Sequence, residues 1–87
     1  MSYDVIFKPK VRKKLVRLPE RIYERIGRTI TDLADDPRPR GAVKMRGTGE
    51  QEEWRVRVGD YRIVYRVDDE ARAVIILDVG HRGSVYG

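Results

Sequence analysis

The stretch Trp54-Arg55-Val56-Arg57-Val58-Gly59-Asp60-Tyr61-Arg62-Ile63-Val64-Tyr65-Arg66-Val67 constrains this chain more than any other. Apolar or aromatic residues alternate with charged ones on both sides of Gly59-Asp60. A period of two is that of a half-buried strand, and a glycine-containing pair between two such runs predicts a tight hairpin. With Gly59 and Asp60 as the loop, Val58 faces Tyr61, Arg57 faces Arg62, Val56 faces Ile63 and Trp54 faces Tyr65. One face then carries Trp54, Val56, Val58, Tyr61, Ile63 and Tyr65 and belongs to a core. The other carries Arg55, Arg57 and Arg62, with Arg66 further along beside Glu53.

Arg57 and Arg62 directly opposite each other repel, at a cost of up to about 1 kcal/mol. Stability alone does not place them there. A solvated arginine face is the simplest explanation for one such residue, but three guanidinium groups converging on one hairpin suit a phosphate. Arginine supplies a fixed fork of donors and a permanent charge that matches phosphate oxygens.

At 87 residues the chain forms one domain, residues 1–87, too small to enclose a large pocket beside its core. It has no cysteine, which removes disulfides, thiolate nucleophiles and cysteine zinc sites and makes the cytoplasm the expected location. Met1 to Phe7 lacks the pattern of a signal peptide, and no run approaches the ~18 apolar residues of a membrane helix. A net charge of +5 and a pI near 9.8 favour a polyanionic partner, nucleic acid first.

In chain order, Tyr3 to Phe7 reads as a strand. Pro9 opens a helix whose apolar face is Val11, Leu15 and Leu18 and whose other side is strongly basic. Leu18-Pro19 breaks it, and a second helix from about Glu20 to Ala34 buries Ile22, Ile26, Ile30 and Leu33. Pro37, Pro39 and Gly41 end that helix in a loop. Val43-Lys44-Met45 is a brief strand, Arg46 to Glu50 a loop, and Gln51-Glu52-Glu53 a solvated lead-in to the hairpin. Gly47-Thr48-Gly49 lacks the lysine and the following helix of a phosphate-cradling loop and is a plain turn. Asp68-Asp69-Glu70 is also a turn, with no cation-loop spacing. Ala73 to Val79 is apolar on both faces until Asp78, as a central strand should be, and Gly80 ends it. The two-glycine tail that follows is expected to be irregular.

The expected fold is α+β: a small, mostly antiparallel sheet, with an N-terminal helical hairpin packed on one face and the arginine face left open. Leu18-Pro19, Asp36-Pro37-Arg38-Pro39, Lys44-Met45-Arg46-Gly47, the run from Trp54 to Tyr65, and the closing Val79-Gly80-His81-Arg82 with Val85-Tyr86 occur in one order along nearly the whole chain. In that order they resemble the RelE toxins of the RelE/ParE superfamily of toxin–antitoxin modules, with their β-α-α-β-β-β arrangement.

The resemblance implies a ribosome-dependent endoribonuclease that cuts mRNA in the A site. The reaction is attack of a ribose 2′-OH on the adjacent phosphate, without metal or cofactor. By position it assigns Arg62 to the scissile phosphate and Arg55 and Arg57 to the basic positions of the hairpin strand, commonly lysines in this family. Arg82 falls to the leaving 5′-oxygen, and Tyr86 to the 2′-OH or to stacking on a base. Lys44, Arg46 and His81 are expected at the RNA-binding margin. Because arginine keeps its proton throughout the physiological pH range, Arg55 and Arg57 are poor bases, leaving Tyr86, His81 or the RNA itself to take the proton. The implied partners are a cognate antitoxin, the ribosome and mRNA, and no membrane. Two alternatives share the features: a ParE-like, non-catalytic inhibitor of DNA gyrase, and a non-catalytic RNA-binding domain.

Overall fold

The elements follow in the order β1 (Asp4–Phe7), α1 (Pro9–Leu15), α2 (Glu20–Asp35), β2 (Val43–Arg46), β3 (Glu52–Val58), β4 (Tyr61–Asp68) and β5 (Ala73–His81). This is a computed structural model that describes residues 2–47 and 52–81. The strands form one sheet in the order β1-β5-β4-β3-β2. β1 runs parallel to β5, and every other pairing is antiparallel.

The hairpin register agrees with the sequence pattern: Val58 pairs with Tyr61, Arg57 with Arg62, Val56 with Ile63 and Trp54 with Tyr65. Gly59 sits at φ +61° while Asp60 keeps a negative φ, so the turn needs its glycine at the first loop position. The predicted inner face is also correct. Val58, Ile63 and Tyr65 are buried in the core with Val67, Val74, Ile76 and Val79, and Trp54, Val56 and Tyr61 pack against its margin. From the helices come Val11, Ile26, Ile30 and Leu33. Each such aliphatic side chain contributes about 1.5–3 kcal/mol of burial, so this face holds the domain together.

Three local departures from the sequence pattern have clear causes. α1 stops at Leu15, and Arg17 and Leu18 close a tighter turn by donating to the carbonyls of Lys14 and Leu15. The proline at 19 turns the residue before it out of helical geometry, yet Leu18 still packs against the core. Glu52 and Glu53, expected as a solvated lead-in, lie inside β3 and face cations. β5 runs through Gly80 to His81 because Arg62 and Tyr61 provide ladder partners there, so His81 belongs to the sheet rather than to an irregular tail.

β5 also carries a bulge. Val64 pairs with Asp78 and Tyr65 with Ile76, leaving Leu77 as the extra residue. A two-for-one bulge turns both Leu77 and Asp78 away from the core while Ile76 and Val79 both face it. Asp78 thereby joins the face that carries the arginines.

Beyond α2, the loop is pinned to the sheet by its own arginine. Arg38 donates to Glu52 at 2.7 and 3.0 Å and to Asp69 at 2.7 and 3.3 Å, and its guanidinium lies 5.8 Å from the Trp54 ring centroid. Trp54 Nε1 donates to Glu52, Tyr3 Oη to Asp69, and Tyr65 Oη to the Pro37 carbonyl. The Arg38 guanidinium holds the carboxyls of Glu52 and Asp69 below their ordinary range, and burial pushes the Tyr65 phenol up.

Candidate nucleic-acid site

The candidate site lies on the face of the sheet away from the helices. Alternation along β3 and β4 sends Arg55, Arg57, Arg62 and Arg66 to this face together. Arg62 stands between Arg57 on β3 and Gly80 on β5, and Arg55 lies across from Val64. Gly80 contributes no side chain, so β5 puts no bulk beside Arg62. Asp78, two positions back, is its diagonal neighbour.

Asp78 is 4% exposed and is the buried charged residue among those described. Its carboxylate accepts from Lys14 Nζ at 2.6 Å and from the Val79 N–H at 2.9 Å, and Lys10 Nζ is 3.8 Å away. A buried carboxylate needs such partners. The pair draws the basic side of α1 to the β5 margin of the arginine face. Sequence reasoning left Lys10, Lys14 and Asp78 unassigned. Their signal was a lone acid in an otherwise apolar strand and two lysines one helical turn apart.

At the β2 end, a register shift between Lys44 and Arg46 sets Arg46 opposite Glu53. Glu53 Oε1 lies 3.3 Å from Arg46 and Oε2 lies 3.7 Å from Arg66. Arg46 therefore shares the arginine face but stands beside a carboxylate. Lys44 pairs with Trp54 on the helix side of the sheet, its Nζ 4.0 Å from Glu52, and is not brought to the cations of the arginine face. His81 pairs with Tyr61, and their rings meet edge to face at 5.6 Å. That places His81 at the end of the sheet with a core-facing neighbour, apart from Arg57 and Arg62. Arg82 and Tyr86 lie outside the described residues, as does most of the loop at Gly47 to Glu50.

Arg55, Arg57 and Arg40 line one groove at the sheet margin, and Arg40 is a further residue that the sequence pattern did not single out. Among the described residues, no group of three or more His, Cys, Asp or Glu is placed to hold a metal ion, and no helix is long and apolar enough to cross a membrane. What the face offers chemically is permanent positive charge in forked geometry, fit to grip phosphate oxygens and to take up charge that grows on them.

A helical hairpin on one side of a five-stranded sheet and a row of arginines on the other define a small basic α+β domain. Over residues 5–86 the chain matches the family described as ParE toxin of type II toxin-antitoxin system, parDE. It is 37% identical over 90 residues to Toxin RelG of Mycobacterium tuberculosis, covering 99% of this chain and 98% of RelG. To the mRNA interferase toxin RelE of Escherichia coli K12 it is 30% identical over 88 residues, covering 99% of this chain and 92% of RelE. In three dimensions it superimposes on a chain of the archaeal RelE–RelB complex from Pyrococcus horikoshii OT3 with a TM-score of 0.88 and 34% identity, over 98% of this chain and 100% of that one. The chain belongs to this family of type II toxin–antitoxin toxins, on its RelE branch.

Proposed function

We propose that this toxin is an mRNA interferase: a ribosome-dependent endoribonuclease that cuts the message in the A site. The observation that carries this reading is Arg57 set directly opposite Arg62 on the sheet face turned away from the core. The relatives named RelE and RelG, at 30% identity or more over nearly the whole chain, favour the nuclease over a gyrase inhibitor or a binding-only domain.

The 2′-oxygen of one ribose attacks the adjacent phosphorus as its proton is removed. The P–O bond to the 5′-oxygen breaks and that oxygen gains a proton, giving a 2′,3′-cyclic phosphate and a free 5′-OH. Arg62 grips the scissile phosphate, with Arg57 and Arg55 beside it, and their charges stabilise the five-coordinate transition state. None of the three arginines can serve as the base. The packing of His81 against Tyr61 shifts that role to Tyr86 or to the RNA itself, with Arg82 assisting the leaving oxygen. Lys10 and Lys14 add charge on the β5 side. No step requires a metal.

Relatives of this fold were crystallised as RelE–RelB complexes, which supports a cognate antitoxin that holds this toxin inactive until release. Primer extension on a defined mRNA in a reconstituted translation reaction tests the function. The expected result is cleavage at the A-site codon that needs ribosomes and fades in Arg62→Ala. Intact message with folded wild-type protein and translating ribosomes present would contradict it.

A further inference from the structure

β3 is only partly covered on its outer side. β2 meets it at Glu53, Trp54 and Arg55, and Val43 opposite Arg55 is the last partner on that side. The rest of β3, from Val56 to Val58, faces the edge of the sheet. In a hairpin with a two-residue loop, the residues flanking the turn exchange both of their backbone hydrogen bonds, and the next residue along points its own outward. Val58 and Val56 therefore bond to β4, while Arg57 turns its backbone N–H and C=O to the edge. Such an edge offers ready donors and acceptors to whatever lies along it.

Two grooves run along this edge and share Arg57. One is lined by Arg40, Gly41, Val43, Arg55, Val56 and Arg57. The other wraps the hairpin tip between Arg25, Arg28 and Thr29 of α2 and Arg57, Val58 and Gly59. The absence of a side chain at Gly59 lets Arg25 approach: a Cβ there would stand 3.3 Å from a guanidinium nitrogen. Among the described residues, Arg25, Arg28, Arg40, Arg55 and Arg57 make no salt bridge. Glu24 and Asp32 stand one helical turn either side of Arg28 yet form none with it. The fold gathers five like charges along one strand edge, with no carboxylate paired to any of them among the described residues.

We propose that this edge is an extended phosphate track, holding the message strand beyond the scissile nucleotide, with Arg40 at one end and Arg25 and Arg28 at the other. The inference rests on the nuclease reading above. Continuity carries it: Arg57 belongs both to the arginine face and to the two grooves, so a strand with one phosphate at Arg57 and Arg62 runs on into them. Charge favours RNA over an added peptide strand, which would need pockets for alternate side chains where these grooves present guanidinium groups.

The test compares the wild type with Arg25→Ala/Arg28→Ala/Arg40→Ala, a matching triple lysine variant and Arg62→Ala. Each binds a fluorescent, 2′-O-methylated RNA of about ten nucleotides across a range of salt. Each loss of a single-strand phosphate contact lowers the slope of log affinity against log salt by about 0.7, so the triple alanine variant should lose about 2 from it. It should also bind at least about tenfold more weakly at low salt, whatever the RNA sequence. The lysine variant should keep most of the slope. Unchanged slope and affinity in the triple alanine variant overturn the track. So does unchanged oligonucleotide binding combined with loss of ribosome pelleting or of antitoxin retention, which would make the edge a ribosomal-RNA or protein contact. Cleavage by Arg62→Ala at the wild-type rate would instead remove Arg62 from the scissile phosphate, and message left intact by the wild type on ribosomes would defeat the nuclease assignment; in either case the binding slopes would still report on the track.

Discussion

Arg38 and Arg57 belong to the same small sheet and have opposite surroundings. Around Arg38 the fold places two carboxylates, a tryptophan ring and, through Asp69, the hydroxyl of Tyr3. Around Arg57 it places Arg62 directly opposite and Arg55, Arg40, Arg25 and Arg28 along the same margin. Arg38 is neutralised and ties the loop after α2 to β3 and to the turn between β4 and β5. Arg57 makes no ion pair among the described residues, and its neighbours raise the energy of the folded state. One arginine serves the fold. The other keeps its charge exposed, as the proposed grip on RNA phosphate requires.

The sharpest way to test that contrast is to remove one arginine from each side. Arg62→Ala should lower ribosome-dependent cleavage by about 10²–10³-fold, the loss typical of one donor to a developing anion, and, by removing the repulsion across from Arg57, should raise stability in a urea titration by up to about 1 kcal/mol. Arg38→Ala should do the reverse. It strands Glu52 and Asp69 without their shared cation and should destabilise the domain by about 1–3 kcal/mol in the same urea titration, with the rate at saturating message little changed. Asp78→Asn lies between the two. It frees Lys14 beside the arginine face and should cost stability of about 1 kcal/mol in chemical unfolding, while the salt dependence of RNA binding becomes steeper.

The smallest effect is on the acid side. Arg38 lowers the carboxyl pKa values of Glu52 and Asp69 in the folded state. Stability from these groups is therefore fully present above the ordinary carboxylate range, and is lost as pH falls from about 4 through their lowered folded values. Unfolding midpoints measured from pH 6 down to pH 2 should fall more steeply for the wild type than for Arg38→Ala. Equal slopes would show that the pair contributes nothing.

Much of this contrast was legible in the sequence, on one side only. Strict alternation through Trp54 to Tyr65 sorts core from arginine face, and Gly59-Asp60 sets the register, because a two-residue loop allows no other pairing. The neutralised side was not legible. Arg38, Glu52 and Asp69 are far apart in the chain, and only the closed sheet brings them together. Lys14 and Asp78 were hidden for a related reason: the bulge at Leu77 shifts the alternation by one residue, and no local pattern announces it. Lys44 and His81 show the limit of positional analogy. A pairing with Trp54 and a ring contact with Tyr61 set them apart from Arg57 and Arg62, and both follow from register rather than from residue type.

The most direct test of whether the arginine face works against the fold is Arg57→Glu, followed by thermal unfolding and by cleavage in the reconstituted translation reaction. Replacing a like-charged cross-strand pair with an opposite one should stabilise the hairpin by about 1 kcal/mol, which for a domain of this size raises Tm by about 4–8 °C. The same substitution should abolish cleavage. A protein that melts higher and no longer cuts RNA is the predicted result. A protein that melts lower, or that cuts RNA as the wild type does, would contradict it.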